Sequence, residues 1–183
     1  MLPELLKKSS LFLVLNQIDI DLAEECRSQN CLYCDGPLHR ANYPRKPWGH
    51  PKDVPDKKMI RQSLCCGRRG CRKRMKPPSC IYMGRKKYWS GIIIVVMALR
   101  QNGSSKGAIK IMRMFNIPYK TFLRWRTWFR DEFPTSAQWK NLRGRVNASI
   151  GSDQLPGGLL DYFIRSNGSD EKGLIGCLQF LAN

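Results

Sequence analysis

Apolar residues fall into helical patterns at both ends and in the middle of the chain, and lose all periodicity between residues 31 and 80. At the start, Leu2, Leu5, Leu6 and the run 11–15 predict a short helix or two within residues 1–30. Residues 87–101 place Trp89, Ile92, Ile93, Val96, Met97 and Leu99 on a helix that Asn102-Gly103 should end. Ser104 or Ser105 can cap a second helix to about Phe115, with Ala108, Ile109, Ile111 and Met112 apolar. Asn116 takes the next turn, where a residue tolerant of positive φ is wanted, and Pro118 suits the first turn of a third helix. In that helix Phe122, Trp125 and Phe129 form a core stripe. Lys120, Arg124 and Thr127 take another face, flanked by Tyr119, Leu123, Arg126 and Arg130.

The last stretch breaks at Leu155-Pro156-Gly157-Gly158. Two short amphipathic segments follow, one with Leu159, Leu160, Tyr162 and Phe163, the other with Leu174, Ile175, Leu178 and Leu181. They can fold back on Trp128, Phe129 and Phe133 or offer a face to a partner. A patch of that size is unusual on a monomer, which favours folding back. Four regions result: an N-terminal helical segment (1–30), a basic cysteine-rich domain (31–85), a three-helix domain (86–133) and a helical tail (134–183).

Charge changes the picture. The 183 residues carry a net charge of +18, while 42% are hydrophobic, so the chain is globular and strongly basic. Residues 40–90 hold 16 Lys and Arg against Asp53 and Asp56, a local balance of +14, and both ends are slightly acidic. A field so concentrated reads as a surface for an anionic polymer. No segment reaches the roughly 18 apolar residues that a membrane span needs. The expected setting is therefore the cytoplasm, with no membrane. On that reading the Asn-x-Ser triplets at Asn102, Asn147 and Asn167 are not glycosylation sites.

Eight cysteines in a reducing compartment argue for metal rather than disulfides. Cys31-Leu32-Tyr33-Cys34, with Asp35-Gly36 turning the chain, can aim two thiolates at one ion. Cys65-Cys66-Gly67-Arg68-Arg69-Gly70-Cys71 supplies a looser second pair. The expected ligands of one structural Zn²⁺ are Cys31, Cys34, Cys66 and Cys71. Cys65 is the first substitute, and Cys26, Cys80, His39 and His50 stand nearby. Arg68, Arg69, Arg72, Lys73, Arg74 and Lys76 crowd the second knuckle and would repel one another unless a polyanion lay beside them. Arg45-Lys46-Pro47-Trp48-Gly49 reads as an extended basic arm that can track a backbone or enter a minor groove.

The segment 107–125, from Gly107-Ala108-Ile109-Lys110 through Phe115-Asn116-Ile117-Pro118-Tyr119-Lys120 to Leu123-Arg124-Trp125, resembles the homeodomain-like helix-turn-helix of transposases and their helper proteins. Asn116 departs from the glycine usual there. A zinc ribbon and basic segment ahead of such a unit are similar to the N-terminal part of bacterial insertion-sequence transposases. The run Cys31 to Pro47, the Cys65-Cys66-Gly67…Gly70-Cys71-Arg72 knuckle and Leu155-Pro156-Gly157-Gly158-Leu159-Leu160 resemble small proteins of mobile elements. The likeness spans roughly residues 26–183. It implies that the third helix enters the major groove, with Lys120 and Arg124 at the bases and Tyr119 and Thr121 near phosphates.

Catalysis is not expected. A retroviral-type transposase core needs three separated carboxylates on a large mixed sheet, and residues 134–183 are too few to build one. No His follows His50 to complete a tyrosine-recombinase set around Tyr162, and no phosphate loop is visible. The expected fold is mostly α with a small β zinc ribbon, a helix-turn-helix and a short helical tail. The expected function is duplex-DNA binding as an accessory protein of transposition or integration. Its partner would be a transposase or recombinase, or a second copy of the chain joined through the tail. A transcriptional regulator with the same modules and an RNA-binding zinc protein are the alternatives.

Overall fold

A computed structural model describes residues 2–101 and 105–182. The fold is mostly helical, with two small antiparallel sheets and a cysteine cluster. Helices α1 (Leu2–Leu5) and α2 (Ser9–Ser28) open the chain. On α2 the buried residues are Leu11, Phe12, Leu15, Asn16, Asp19 and Ala23, one stripe at helical spacing.

The cysteine-rich region forms β1 (Leu38–Arg40), β2 (Tyr43–Pro44), β3 (Ile60–Arg61), β4 (Leu64–Cys66) and β5 (Arg74–Met75). One sheet has the order β1-β4-β5 and the other pairs β2 with β3, all antiparallel. Strands this short bury little. Leu38, Leu64, Cys31 and Cys66 make a separate small core, with Cys26, Cys34, Cys71 and Met75 packed against it.

Helix α3 (Ser90–Gln101) is the centre of the molecule: every residue from Ser90 to Ala98 is buried. A helix apolar on all sides must be covered on all sides. Helices α4 (Ser105–Met114), α5 (Tyr119–Thr127), α7 (Gly157–Asn167) and α8 (Asp170–Ala182) surround it. Helix α5 runs on into a π-helical turn, Trp128–Glu132, and α6 (Ala137–Leu142) follows. Phe122, Trp125 and Phe129 are buried as the stripe predicts.

Three differences from the sequence reading have physical causes. Helix α3 starts at Ser90 rather than Lys87, because Lys87 to Trp89 run extended beside Trp48: Trp48 N–H donates to Lys87 O (2.8 Å) and Trp89 N–H to Trp48 O (3.3 Å). Helix α6 is additional. Ser136 caps it by accepting from Trp139 N–H (3.1 Å), and Trp139 and Leu142 are buried. The tail folds back, but onto α3 and α1 as well as the aromatic floor. Its Leu159, Leu160, Leu174, Leu178 and Leu181 share one core with α1, α2, α3 and α5. The expected stop at Asn102-Gly103 and the Ser104 cap lie outside the described residues.

Two polar clamps fix the layers. Gln101 accepts from Gly157 N–H at 2.7 Å and donates to Asp153 O at 3.2 Å, which ties the end of α3 to the start of α7. Asp19, buried on α2, accepts from the Ser79 hydroxyl and from Cys80 N–H (2.6 Å), tying α2 to the segment that leaves β5. No helix among the described residues is long and apolar enough to cross a membrane.

Candidate metal centre and basic surface

The first knuckle is a tight turn closed by its own backbone. Cys34 N–H and Asp35 N–H both donate to Cys31 O (3.3 and 2.8 Å), and Cys31 N–H donates to Gly36 O (2.9 Å). The positive φ falls on Asp35 (55°), not on Gly36. Gly36 is needed for space instead: a Cβ there would lie 3.1 Å from Cys66 Sγ and 3.3 Å from Cys34 Sγ. In the second knuckle Cys71 and Arg72 N–H both donate to Arg68 O (3.0 and 3.2 Å), and Arg72 takes the positive φ (48°).

These turns bring Cys31, Cys34, Cys66 and Cys71 together, with all four Sγ atoms within 4.8 Å of one another. Cys31 and Cys71 Sγ are 3.8 Å apart, and Cys34 and Cys66 Sγ 3.5 Å. Four sulfurs at about 2.3 Å from a central ion sit roughly 3.8 Å apart along the edges of a tetrahedron, so the cluster fits a four-coordinate metal. Amide donors favour thiolate. Cys31 is pulled down to about 7, chiefly by the Tyr33 N–H and against its own desolvation, with Cys34 N–H helping. Cys71 moves the other way: Lys73 N–H lowers it, but desolvation and the neighbouring Cys34 and Cys31 thiols outweigh that.

Strand alternation settles the choice between the adjacent cysteines. Leu38 pairs with Cys66 and His39 with Cys65 across β1 and β4, so Cys66 shares the buried face with Leu38 while Cys65 and His39 face outward. Cys65 Sγ contacts its neighbours' carbonyls, Cys66 O and Arg72 O. The His39 ring lies over Gly67, and His50 Nδ1 is 2.9 Å from Pro51 O. Cys26 is half-buried against the small core, and Cys80 is buried beside Asp19, where desolvation drives its thiol far up. None of these joins the four-sulfur cluster.

The basic residues are placed unequally. Arg68, Arg69, Arg72, Lys73 and Arg74 are exposed around the second knuckle. Arg68 Nη1 donates to Cys34 O at 2.7 Å, and Lys73 Nζ lies 4.0 Å from the Tyr33 ring centre, so both also brace the first knuckle. Arg45 turns inward: it donates to Gly84 O and Lys86 O, both at 3.1 Å, and its guanidinium stacks over Tyr82. Lys46 stays exposed and pairs with Asp56 at 2.8 Å.

The rest of the arm reaches the α4–α5 turn. Trp48, half-exposed, packs edge-on to Tyr88, whose hydroxyl donates to Asn116 O (2.9 Å). Asn116 holds φ 50° as the turn requires. Beyond it, Tyr119, Lys120 and Arg124 are exposed on α5, Thr121 is half-buried, and Phe122 and Trp125 face the core. Lys46, Trp48 and Asn116 line a single cleft, so the arm adjoins the α4–α5 turn.

Sequence reasoning missed Arg61 and Asp19 as buried polar anchors. Arg61 looks like part of the basic run, yet it is buried and donates to Gln62 O and Pro77 O (3.1 and 2.6 Å). Asp19 did carry a signal, an acidic residue four positions after Leu15 on the apolar stripe of α2. Comparison with known proteins finds no match: no family model, no curated protein and no solved structure.

Proposed function

We propose that the protein binds duplex DNA as an accessory factor of a transposition or integration system, with Zn²⁺ in the four-cysteine cluster and α4–α5 acting as a helix-turn-helix. The observation that carries the reading is the two-sidedness of α5. Phe122 and Trp125 anchor it in the core, while Tyr119, Lys120 and Arg124 stand in solvent directly after a tight turn at Asn116. A basic helix held rigidly from behind can enter a major groove, where Lys and Arg reach base edges and flanking polar groups hold phosphates.

The cysteine cluster supports the same reading from another side. A closed S₄ site suits a structural metal, and zinc is the common occupant of four thiolates. It would hold the two knuckles rigid and so fix Arg68, Arg69, Arg72, Lys73 and Arg74 in one patch, a surface for phosphates rather than bases. The transposition setting rests on the likeness of residues 26–183 to mobile-element proteins.

The test compares Lys120→Ala, Arg124→Ala and Arg69→Ala in fluorescence-anisotropy titrations against duplexes of varied sequence. Base-reading residues should each cost about 1–3 kcal/mol and flatten the preference between duplexes. Arg69→Ala should weaken every duplex alike. Equal, sequence-blind losses for all three would remove the reading role of α5. Tighter binding to structured RNA than to any duplex would remove the DNA role.

A further inference from the structure

A cavity of about 330 Å³ lies where the segment leaving β5, the π-helical turn, α6 and α8 meet. The charged residues among its lining are Arg61 and Lys86, and both are cations. Ser90, the first residue of α3, also lines it. Ser90 is 2% exposed and its Oγ has no hydrogen-bond partner among the described residues. A buried hydroxyl without a partner asks for one. The 12-residue helix α3 begins at Ser90, whose own N–H is donated to Ile81 O (2.9 Å), so the positive end of its dipole lies beside the cavity.

The cations are not neutralised at the cavity. Asp19 acts on Arg61, and Glu132 on Lys86, from beyond ion-pair distance, and neither carboxylate lines the space. Burial has already pulled the Lys86 ammonium down to about 8. The ammonium rests 3.6 Å from the Trp128 ring centre, held at the cavity wall by a cation–π contact. Trp128, Phe133 and Leu178 supply an apolar part of the remaining wall, beside the polar side chains of Ser79, Tyr82 and Gln138. A concave space that sets apolar side chains beside polar ones can hold a small molecule, and this volume is at the small end of the range for such sites.

We propose that this cavity binds a small oxyanion carried on an apolar body, such as an aromatic carboxylate or phosphate ester. The anionic oxygens would take Ser90 Oγ and Lys86 Nζ at the start of α3. Arg61 would supply field, and the apolar body would lie against Trp128, Phe133 and Leu178. This site is separate from both the cysteine cluster and the exposed face of α5.

The probes are benzoate, phenyl phosphate, neutral benzamide and inorganic phosphate, titrated calorimetrically into the full-length protein as purified. At least one of the two aromatic anions should bind at one site per chain with a Kd of about 1 mM or tighter. Benzamide and inorganic phosphate should each bind at least about tenfold more weakly, since each lacks one half of the recognition. The tighter of the two aromatic anions identifies the head group. Ser90→Ala and Lys86→Gln should each weaken that anion by about fivefold or more. Ser90→Ala deletes a hydroxyl that has no partner, so its Tm should be no lower than that of the parent, which separates lost binding from lost folding. Three results overturn the proposal: no saturable binding of either aromatic anion, benzamide binding as tightly as the anions, or unchanged affinity in both variants.

Discussion

Cys65 and Cys66 are neighbours in sequence and face opposite sides of β4, because Cys66 pairs with buried Leu38 and Cys65 with exposed His39. Only Cys66 meets Cys31, Cys34 and Cys71. Cys65→Ser should therefore keep one equivalent of bound metal per chain, and Cys66→Ser should lose it, by elemental analysis of protein purified without added metal. The expected element is zinc. Equal metal loss in the two variants would contradict the geometry.

Gly36 gives the same centre a steric test. The Cβ of Gly36→Ala would press on Cys66 and Cys34 Sγ at 3.1 and 3.3 Å. A chelator competition should show about 10-fold weaker metal binding or more, the scale on which shell contacts around a metal act. Unchanged affinity would mean the knuckle relaxes freely.

Asp19 gives the fold a pH dependence. Burial raises its carboxyl from 3.8 to about 6, against the Ser79 and Cys80 hydrogen bonds and the Arg61 charge. The folded state then holds the proton more tightly than the unfolded chain. Stability from this group is fully present below about pH 4 and is lost as pH rises through about 6. Asp19→Asn has no proton to lose. The stability of the variant relative to wild type should rise between pH 4 and 7, by on the order of 2–3 kcal/mol in denaturant unfolding. A difference that stays flat across that window would remove the titration of Asp19 from the account.

The tail should behave as core. Leu174 is fully buried between the tail and the rest of the molecule. Leu174→Ala should cost about 2–5 kcal/mol of stability, and removing residues 151–183 should give an insoluble or unfolded chain. A truncated protein with an intact cooperative melt would show instead that α7 and α8 are an appendage.

The four-cysteine cluster was legible because thiol spacing and turn residues are local. The choice of Cys66 over Cys65 was legible only as a preference, since the phase of a three-residue strand depends on which partner it pairs with. Asn116 and the Phe122, Trp125, Phe129 stripe were equally local, and the structure places them as the pattern predicts. What sequence did not carry was long-range. Periodicity marks an apolar face on α7 and α8 but not the helix that covers it. Arg45 and Arg61 look like their exposed neighbours until Tyr82, 37 and 21 positions later in the numbering, comes to lie against them. The chain-wide charge of +18 says that a polyanion is favoured and says nothing of which cations are held inside.

The most direct test of the central claim is the salt dependence of duplex binding, measured by anisotropy between 50 and 200 mM salt. With about six to ten phosphates neutralised by the exposed basic residues, affinity should fall by roughly 10³–10⁵ across that range, and Lys120→Ala should preserve most of the slope while Arg69→Ala reduces it by about one. A flat response, or no measurable duplex binding at about 50 mM salt, would contradict the account.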